Sequence, residues 1–354
     1  MPDTPAVQFK NVSKVYPNGT KGVDNVSFTI QPGKIVALLG PSGCGKTTTL
    51  RLINRLEKST GGEVLVRGEN VNNQRPEQLR RSIGYVIQEG GLFPHLDVST
   101  NVATVPKLLG WAEQRTRDRV KEVLDLVGLP ETQYGKRKPS QLSGGQRQRV
   151  GVARGLAADP DILLMDEPFG ALDPGTRGTI QDEFLRLQEN LHKTVVMVTH
   201  DITEAGKMAD NIVLMYKGKI NQEGTIRDIL LQPADQNVRE FLGKQGHGLA
   251  LESLRLEGVL PQLTPLNAGD SSITLSDQTT LGQVLVALSG VPDSDVLTIT
   301  GAETHPYQVN EVRNHIVADL RLAEKAFDDW TNADISPDPI NDQITSSPSE
   351  KITK

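Results

Sequence analysis

Three short apolar runs set the rhythm of this chain: IVALLG at 35–40, ILLMD at 162–166 and TVVMVTH at 194–200. Each is bounded by Gly or charge and rich in aliphatic residues, as strands buried on both faces are. They alternate with helical patterns across residues 1–90 and 155–245. Such alternation predicts an α/β fold, a mostly parallel sheet with helices on both sides. Residues 98–150 break the rhythm, being rich in Glu, Arg, Lys and Leu. In QRTRDRVKEVLDLVGL (114–129), Val120, Val123, Leu124 and Val127 fall at helical spacing and give one apolar face. This stretch reads as a helical insertion into the α/β core.

The pattern changes again near residue 246. KQGHG (244–248) reads as a linker. Beyond it, residues 250–325 carry short strands and helices. TTLGQVLVAL (279–288) sets Leu281, Val284, Leu285 and Leu288 on one helix face, and VLTIT (296–300) reads as a strand. From Asp328 the chain is polar and proline-bearing, the composition of a disordered tail. No solenoid-length repeat is visible.

Composition narrows the function classes. The chain has 354 residues, 36% hydrophobic and 23% charged, as soluble globular proteins do. The net charge of -6 argues against a dedicated nucleic-acid binder. One cysteine, Cys44, rules out an internal disulfide and fits a reducing compartment. The N-terminus MPDTPAVQFK lacks the apolar core of a secretory signal, and no apolar run reaches bilayer-spanning length. The expectation is a soluble protein that reaches a membrane only through partners.

GPSGCGKTT (40–48) directly follows the first apolar run and opens a helical pattern. It matches G-x-x-x-x-G-K-[ST], the phosphate loop, in its required strand-to-helix context. Gly40, Gly43 and Gly45 let the backbone wrap so that amides point at phosphate oxygens, and the helix N-terminus adds partial positive charge. Lys46 reaches the terminal phosphates, and the Thr47 hydroxyl is a candidate Mg²⁺ ligand. Pro41, Ser42, Cys44 and Thr48 complete the set expected to contact nucleotide. The Cys44 thiol itself reads as a small group facing away, since no second thiol exists.

The run ILLMD leads into Glu167, so two acids stand where α/β sheets bind ligands. Asp166 suits holding Mg²⁺ through water, and Glu167 suits orienting or deprotonating an attacking water. The bland alternative, two acids capping a surface turn, loses ground because the phosphate loop is on the same chain. His200, at the end of the third apolar run, suits contact with a γ-phosphate.

LSGGQRQRV (142–150) offers a second anion cradle: Ser143, Gly144 and Gly145 before a helix, then Gln146. With one cradle complete at 40–47, a second makes sense if it serves the ATP of another subunit. On these motifs and their order, residues 6–245 resemble the ATPase of ATP-binding-cassette (ABC) transporters. The resemblance implies a P-loop cassette over residues 1–245, with a mostly parallel core, an antiparallel N-terminal part and a helical subdomain at about 92–152. It implies ATP and Mg²⁺ as ligands, Tyr16 stacking on adenine, Gln88 sensing Mg²⁺ and the transmembrane partner, Asp173 at the dimer interface and His200 as the switch histidine. It further implies two cassettes sandwiching two ATP molecules on the cytoplasmic face of a membrane, working with permease subunits and an extracytoplasmic solute-binding protein.

LRRSIGYVIQEGGLFPHLDVSTNVATVPKLLGW (79–111) and LMDEPFGALDPGTRGTIQDEF (164–184) resemble importers of quaternary-amine osmoprotectants such as glycine betaine, choline and carnitine. Glu89-Gly90 departs from the uncharged pair commoner there. An importer of an amino acid or polyamine remains open as the alternative. A non-transport ABC ATPase would show two cassettes or a Cys cluster, which this chain does not. Residues 246–327 then form a small α+β accessory region, either one degenerate cystathionine-β-synthase (CBS) module or a packing domain without ligand.

Overall fold

The computed structural model describes residues 4–87, 91–170, 172–243, 254–256, 259–263, 266, 273–289, 296–301, 304–309 and 311–319. The expected linker at 244–248 and tail from Asp328 lie outside these residues, as does Gln88 with Glu89 and Gly90.

The chain opens with antiparallel strands β1 (Val7–Val15) and β2 (Lys21–Ile30), then β3 (Ile35–Leu39) and helix α1 (Lys46–Ile53). β4 (Gly61–Val66) and β5 (Glu69–Asn70) join the first sheet in the order β2-β1-β4-β5. After α2 (Pro76–Arg81) and β6 (Ile83–Val86) come four helices: α3 (Val98–Leu108), α4 (Glu113–Leu126), α5 (Glu131–Tyr134) and α6 (Gly144–Leu156). The core resumes with β7 (Ile162–Asp166), α7 (Pro174–Leu191), β8 (Thr194–Val198), α8 (Ile202–Met208), β9 (Asn211–Tyr216), β10 (Lys219–Gly224), α9 (Ile226–Leu231) and α10 (Gln236–Leu242). The central sheet runs β10-β9-β3-β8-β7-β6, parallel except for the β9-β10 hairpin. That hairpin turns on Lys217 and Gly218, both at positive φ, the two-residue geometry that matches strand twist.

The three apolar runs are the centre of this sheet. Every residue of β3, β7 and β8 is buried, and their side chains alternate between two cores. Val36, Leu38, Ile162, Leu164, Val196 and Val198 face one core, with α1 and the antiparallel sheet. Ala37, Leu39, Leu163, Met165, Val195 and Met197 face the other, with the helical insertion and α7. The period of 2 explains why runs that look uniformly apolar serve both layers. Val120, Val123, Leu124 and Val127 lie in the second core, as their spacing predicts. β8 stops at Val198, so His200 sits two residues past the strand rather than at its end.

Further along, β11 (Ile273–Ser276), α11 (Leu281–Ala287), β12 (Val296–Thr300), β13 (His305–Gln308) and α12 (311–319) make a small unit with sheet order β11-β12-β13. Leu281, Val284 and Leu288 are buried, and the side chain of Leu285 lies outside the described residues. Arg227 of α9 pairs with Asp319 at 2.5 Å, the acid being 4% exposed. Arg255 donates to the Lys207 carbonyl at 3.2 Å. Asp319→Ala would leave Arg227 partly buried without its partner. Its expected cost is about 3 kcal/mol in the docking of this unit. Hydrogen exchange should then rise in 273–319 while the central sheet keeps its protection.

Candidate functional site

The carboxyl ends of β3, β8 and β7 are neighbours in the sheet, and the phosphate loop, Asp166, Glu167 and His200 gather there. The loop from Gly40 to Gly45 closes against strand β9 and residue 22. A Cβ at Gly40 would lie 2.2 Å from the Met215 carbonyl oxygen, and one at Gly45 would lie 2.2 Å from that of Gly22. Both glycines are at positive φ, so larger residues are excluded twice over. Gly45 caps α1 without a side chain, and the first intrahelical bond runs from the Thr49 amide to the Gly45 carbonyl at 2.9 Å. The amides of Lys46, Thr47 and Thr48 therefore have no intrahelical acceptor and make an anion site with the helix dipole. At Gly43 the space is open, with nothing within 4 Å of an added Cβ. Pro41 and Ser42 form the rim, Ser42 exposed. The Cys44 thiol points into the first core, 3% exposed, and burial pushes its pKa up.

Lys46 is 6% exposed, and its ammonium donates to the Gly40 and Pro41 carbonyls at 2.6 and 2.9 Å. Thr47 donates to Asp166 Oδ1 at 3.1 Å. A hydroxyl and a carboxylate are hard oxygen donors, the set suited to Mg²⁺ that keeps several waters and takes phosphate oxygens too. The residues present thus fit that ion. Among the described residues there is no group of three or more His, Cys, Asp or Glu that would make an all-protein cage. Asp166 also accepts from the Tyr85 hydroxyl at 3.4 Å and faces Arg51 at 3.8 Å. Burial, then the Asp166 charge, push the Tyr85 pKa up, keeping its proton available for that bond.

Glu167 follows in the left-handed region, φ 46°, rare for a side chain of this kind. Its amide donates to the Val198 carbonyl at 3.1 Å, tying the turn to β8. His200 Nδ1 lies 3.7 Å from Glu167 Oε1, with the histidine 59% exposed. Tyr16 is half-buried, and its hydroxyl lies 3.0 Å from Thr48 Oγ1, which places the ring beside the phosphate loop.

The second cradle stands apart. Ser143 and Gln146 form a reciprocal capping box at the start of α6 and bond each other rather than the phosphate loop. Ser143 is exposed, Gly144 half-exposed, and Gly145 buried against Ile180 and Thr176 of α7. Asp173 caps α7, accepting from the Thr176 amide at 3.0 Å, a bond that holds its carboxyl below the usual range. Beside the helical insertion, a cleft of about 320 Å³ is lined by Ile87, Gly91, Phe93, Val105 and Arg154. Phe93 is 42% exposed there, and Arg154 donates to the Gly91 carbonyl at 2.8 Å.

Sequence reasoning missed Tyr85 and Arg51 as neighbours of Asp166. Arg51 had a signal, since it falls four residues after Thr47, one turn along the same face of α1. Tyr85 had none, because β6 meets β7 only across a long separation in the chain, Ile83 pairing with Ile162 and Val86 with Met165.

Comparison with known proteins agrees with this arrangement. The sequence profile described as ABC transporter matches residues 23–170. The chain is 54% identical over 238 residues to the choline transport ATP-binding protein OpuBA of Bacillus subtilis (strain 168), covering 67% of this chain and 62% of that protein. It thus spans less than two thirds of that relative's length. It is 48% identical over 249 residues to the glycine betaine uptake system ATP-binding protein YehX of Escherichia coli (strain K12), covering 70% of this chain and 80% of that protein. Among solved structures, a dimeric post-hydrolysis ATP-binding cassette bound to ADP and Pi is 38% identical with a TM-score of 0.56, covering 62% of this chain and 98% of that one.

Proposed function

Because the chain belongs to the ABC transporter family of ATP-binding proteins, we propose that it binds and hydrolyses ATP to energise uptake of quaternary-amine osmoprotectants through a membrane permease. The observation that carries the reading is the Thr47–Asp166 contact at 3.1 Å, with Glu167 and His200 3.7 Å apart beside it. One locus thus holds phosphate, supplies hard oxygen donors and presents a candidate base. The solute class rests on relatives named for choline and glycine betaine transport.

In this reading the free amides at the start of α1 and the Lys46 ammonium bind the β- and γ-phosphates. Thr47 and Asp166, with Gln88, would hold Mg²⁺, which supplies charge neutralisation on the phosphate oxygens. Glu167 orients a water and accepts its proton, and His200 holds Glu167 and the γ-phosphate in register. Tyr16 stacks on adenine. Ser143, Gly144, Gly145 and Gln146 contact the ATP of a second copy, with Asp173 at the shared interface. The exposure of Ser143 and Asp173, and the absence of bonds from Ser143 and Gln146 to this chain's own phosphate loop, support a role in trans. The cleft at Phe93 receives a cytoplasmic segment of the permease, so the protein sits peripherally on the cytoplasmic face; among the described residues no helix is long and apolar enough to cross a membrane. We assign residues 1–245 to the cassette and 246–327 to an accessory region outside the phosphate chemistry.

A deletion strain should lose ATP-dependent uptake of at least one of labelled glycine betaine, choline or carnitine, and regain it with the full chain. Loss confined to an amino acid or polyamine comparator would sink the solute assignment and leave the ATPase assignment standing. The purified chain should bind none of these solutes, since aromatic residues are 4% of it and a cation cage needs several rings around one cavity.

A further inference from the structure

Helix α8 carries a buried acid that the scheme above leaves without a task. Glu204 is 6% exposed on a helix packed against β3, whose residues Ile35–Leu39 are all apolar. Its Oε2 accepts from the Thr199 hydroxyl at 3.1 Å, while Oε1 is buried without a hydrogen-bond partner. Thr199 Oγ1 in turn accepts from the Asp201 amide at 3.0 Å, and the Thr199 amide donates to the Leu38 carbonyl at 3.1 Å. Asp201 caps α8 through the amides of Thr203 and Glu204, at 2.9 and 3.3 Å, and faces Arg177 of α7 at 3.5 Å. The residues on both sides of His200 are therefore fixed, and one side chain, Glu204, anchors the chain of bonds from inside. A leucine would fill this place against β3 without the penalty of a half-satisfied buried carboxyl. Such penalties cluster at functional sites.

We propose that Glu204 is a positioning residue for the His200 loop, holding the backbone at 199–201 through Thr199 so that the imidazole is presented to Glu167; this rests on the role given above to His200. Removing the carboxyl frees the Thr199 hydroxyl to rotate and lets the loop wander. A glutamine keeps an oxygen that accepts the same hydroxyl. The acid also titrates. Burial, opposed by the Thr199 bond, pushes its pKa from 4.5 to about 7, with Asp201 and Glu167 raising it and Arg177 lowering it. Between those values the folded chain binds more protons than the unfolded chain. The stability from the neutral acid is therefore full below pH 4.5 and is lost as pH rises through 7.

The test uses the full chain with Glu204→Ala and Glu204→Gln. Glu204→Ala should lower kcat for ATP about 10- to 100-fold, the scale of a misplaced catalytic group, with KM for ATP little changed. Glu204→Gln should keep kcat near that of the parent chain. Amide exchange at 199–201 should quicken in Glu204→Ala and not in Glu204→Gln. Glu204→Gln should also melt above the parent chain at pH 8 and level with it at pH 4.5. Parent-like kcat together with parent-like exchange in Glu204→Ala overturns the proposal, as does equal loss of kcat in both variants. Quickened exchange at 199–201 with unchanged kcat supports the anchoring and instead sinks the role of His200.

Discussion

Glu167→Gln is expected to lower the rate of ATP hydrolysis by about 10²- to 10⁴-fold while leaving ATP binding intact. The amide has the shape of the acid but cannot take a proton from water. Everything that holds nucleotide stays in place, because Lys46, Thr47 and Asp166 make their contacts without Glu167. The left-handed backbone at 167 is also preserved, since the substitution is isosteric. The variant should accumulate in the ATP-bound form. In sedimentation with Mg-ATP it should run as a dimer held by two nucleotides, and as a monomer without nucleotide. Parent-like turnover would remove Glu167 from the reaction. A dimer that ignores ATP would remove the trans role of Ser143–Gln146.

Lys46→Ala is expected to fail at the earlier step. A charge-assisted bond to phosphate contributes about 1.5–3 kcal/mol, so ATP affinity should fall about 10- to 100-fold. The loop itself should loosen too, because the ammonium bridges the Gly40 and Pro41 carbonyls at 2.6 and 2.9 Å and so braces the turn before nucleotide arrives. Titration with a fluorescent ATP analogue separates the two variants: Glu167→Gln should bind like the parent chain, Lys46→Ala weakly. ATP should raise the melting temperature of the first and hardly that of the second. Equal affinity in both would mean that the amides at the start of α1 carry phosphate binding alone.

Much of this site is readable in the sequence because its parts are local. Glycines at fixed spacing, a lysine and a threonine at a strand-to-helix junction need no distant contact to be recognised. The two-core alternation of β3, β7 and β8 is legible as well, since their length and branching leave no polar face. What joins these parts is not local. Nothing in DITEAGKM says that Glu204 lies under β3, for the stretch reads as an ordinary capped helix with an acid in its first turn. The Arg227–Asp319 pair joins residues 92 apart. The stop of β8 at Val198 also escapes the sequence, because Thr199 and His200 continue the β-branched, polar-ended run while Thr199 turns inward to meet Glu204.

The order β9-β3-β8-β7 has a consequence for how the protein is made. The phosphate loop follows β3 and the acids stand at the end of β7, yet these strands are not neighbours, because β8 lies between them and comes later in the chain. A nascent chain that has emerged as far as Glu167 holds both halves of the site with a strand-wide gap between them. Until residues 194–198 enter that gap, Thr47 and Asp166 cannot meet. Such closing of non-local parallel pairs is slow and leaves apolar edges open meanwhile. ATP is therefore expected to give no help to the first half of synthesis. Its stabilising pull begins only when the strand just before His200 has left the ribosome, and arrest of translation ahead of that strand should leave a chain that nucleotide does not protect from proteolysis.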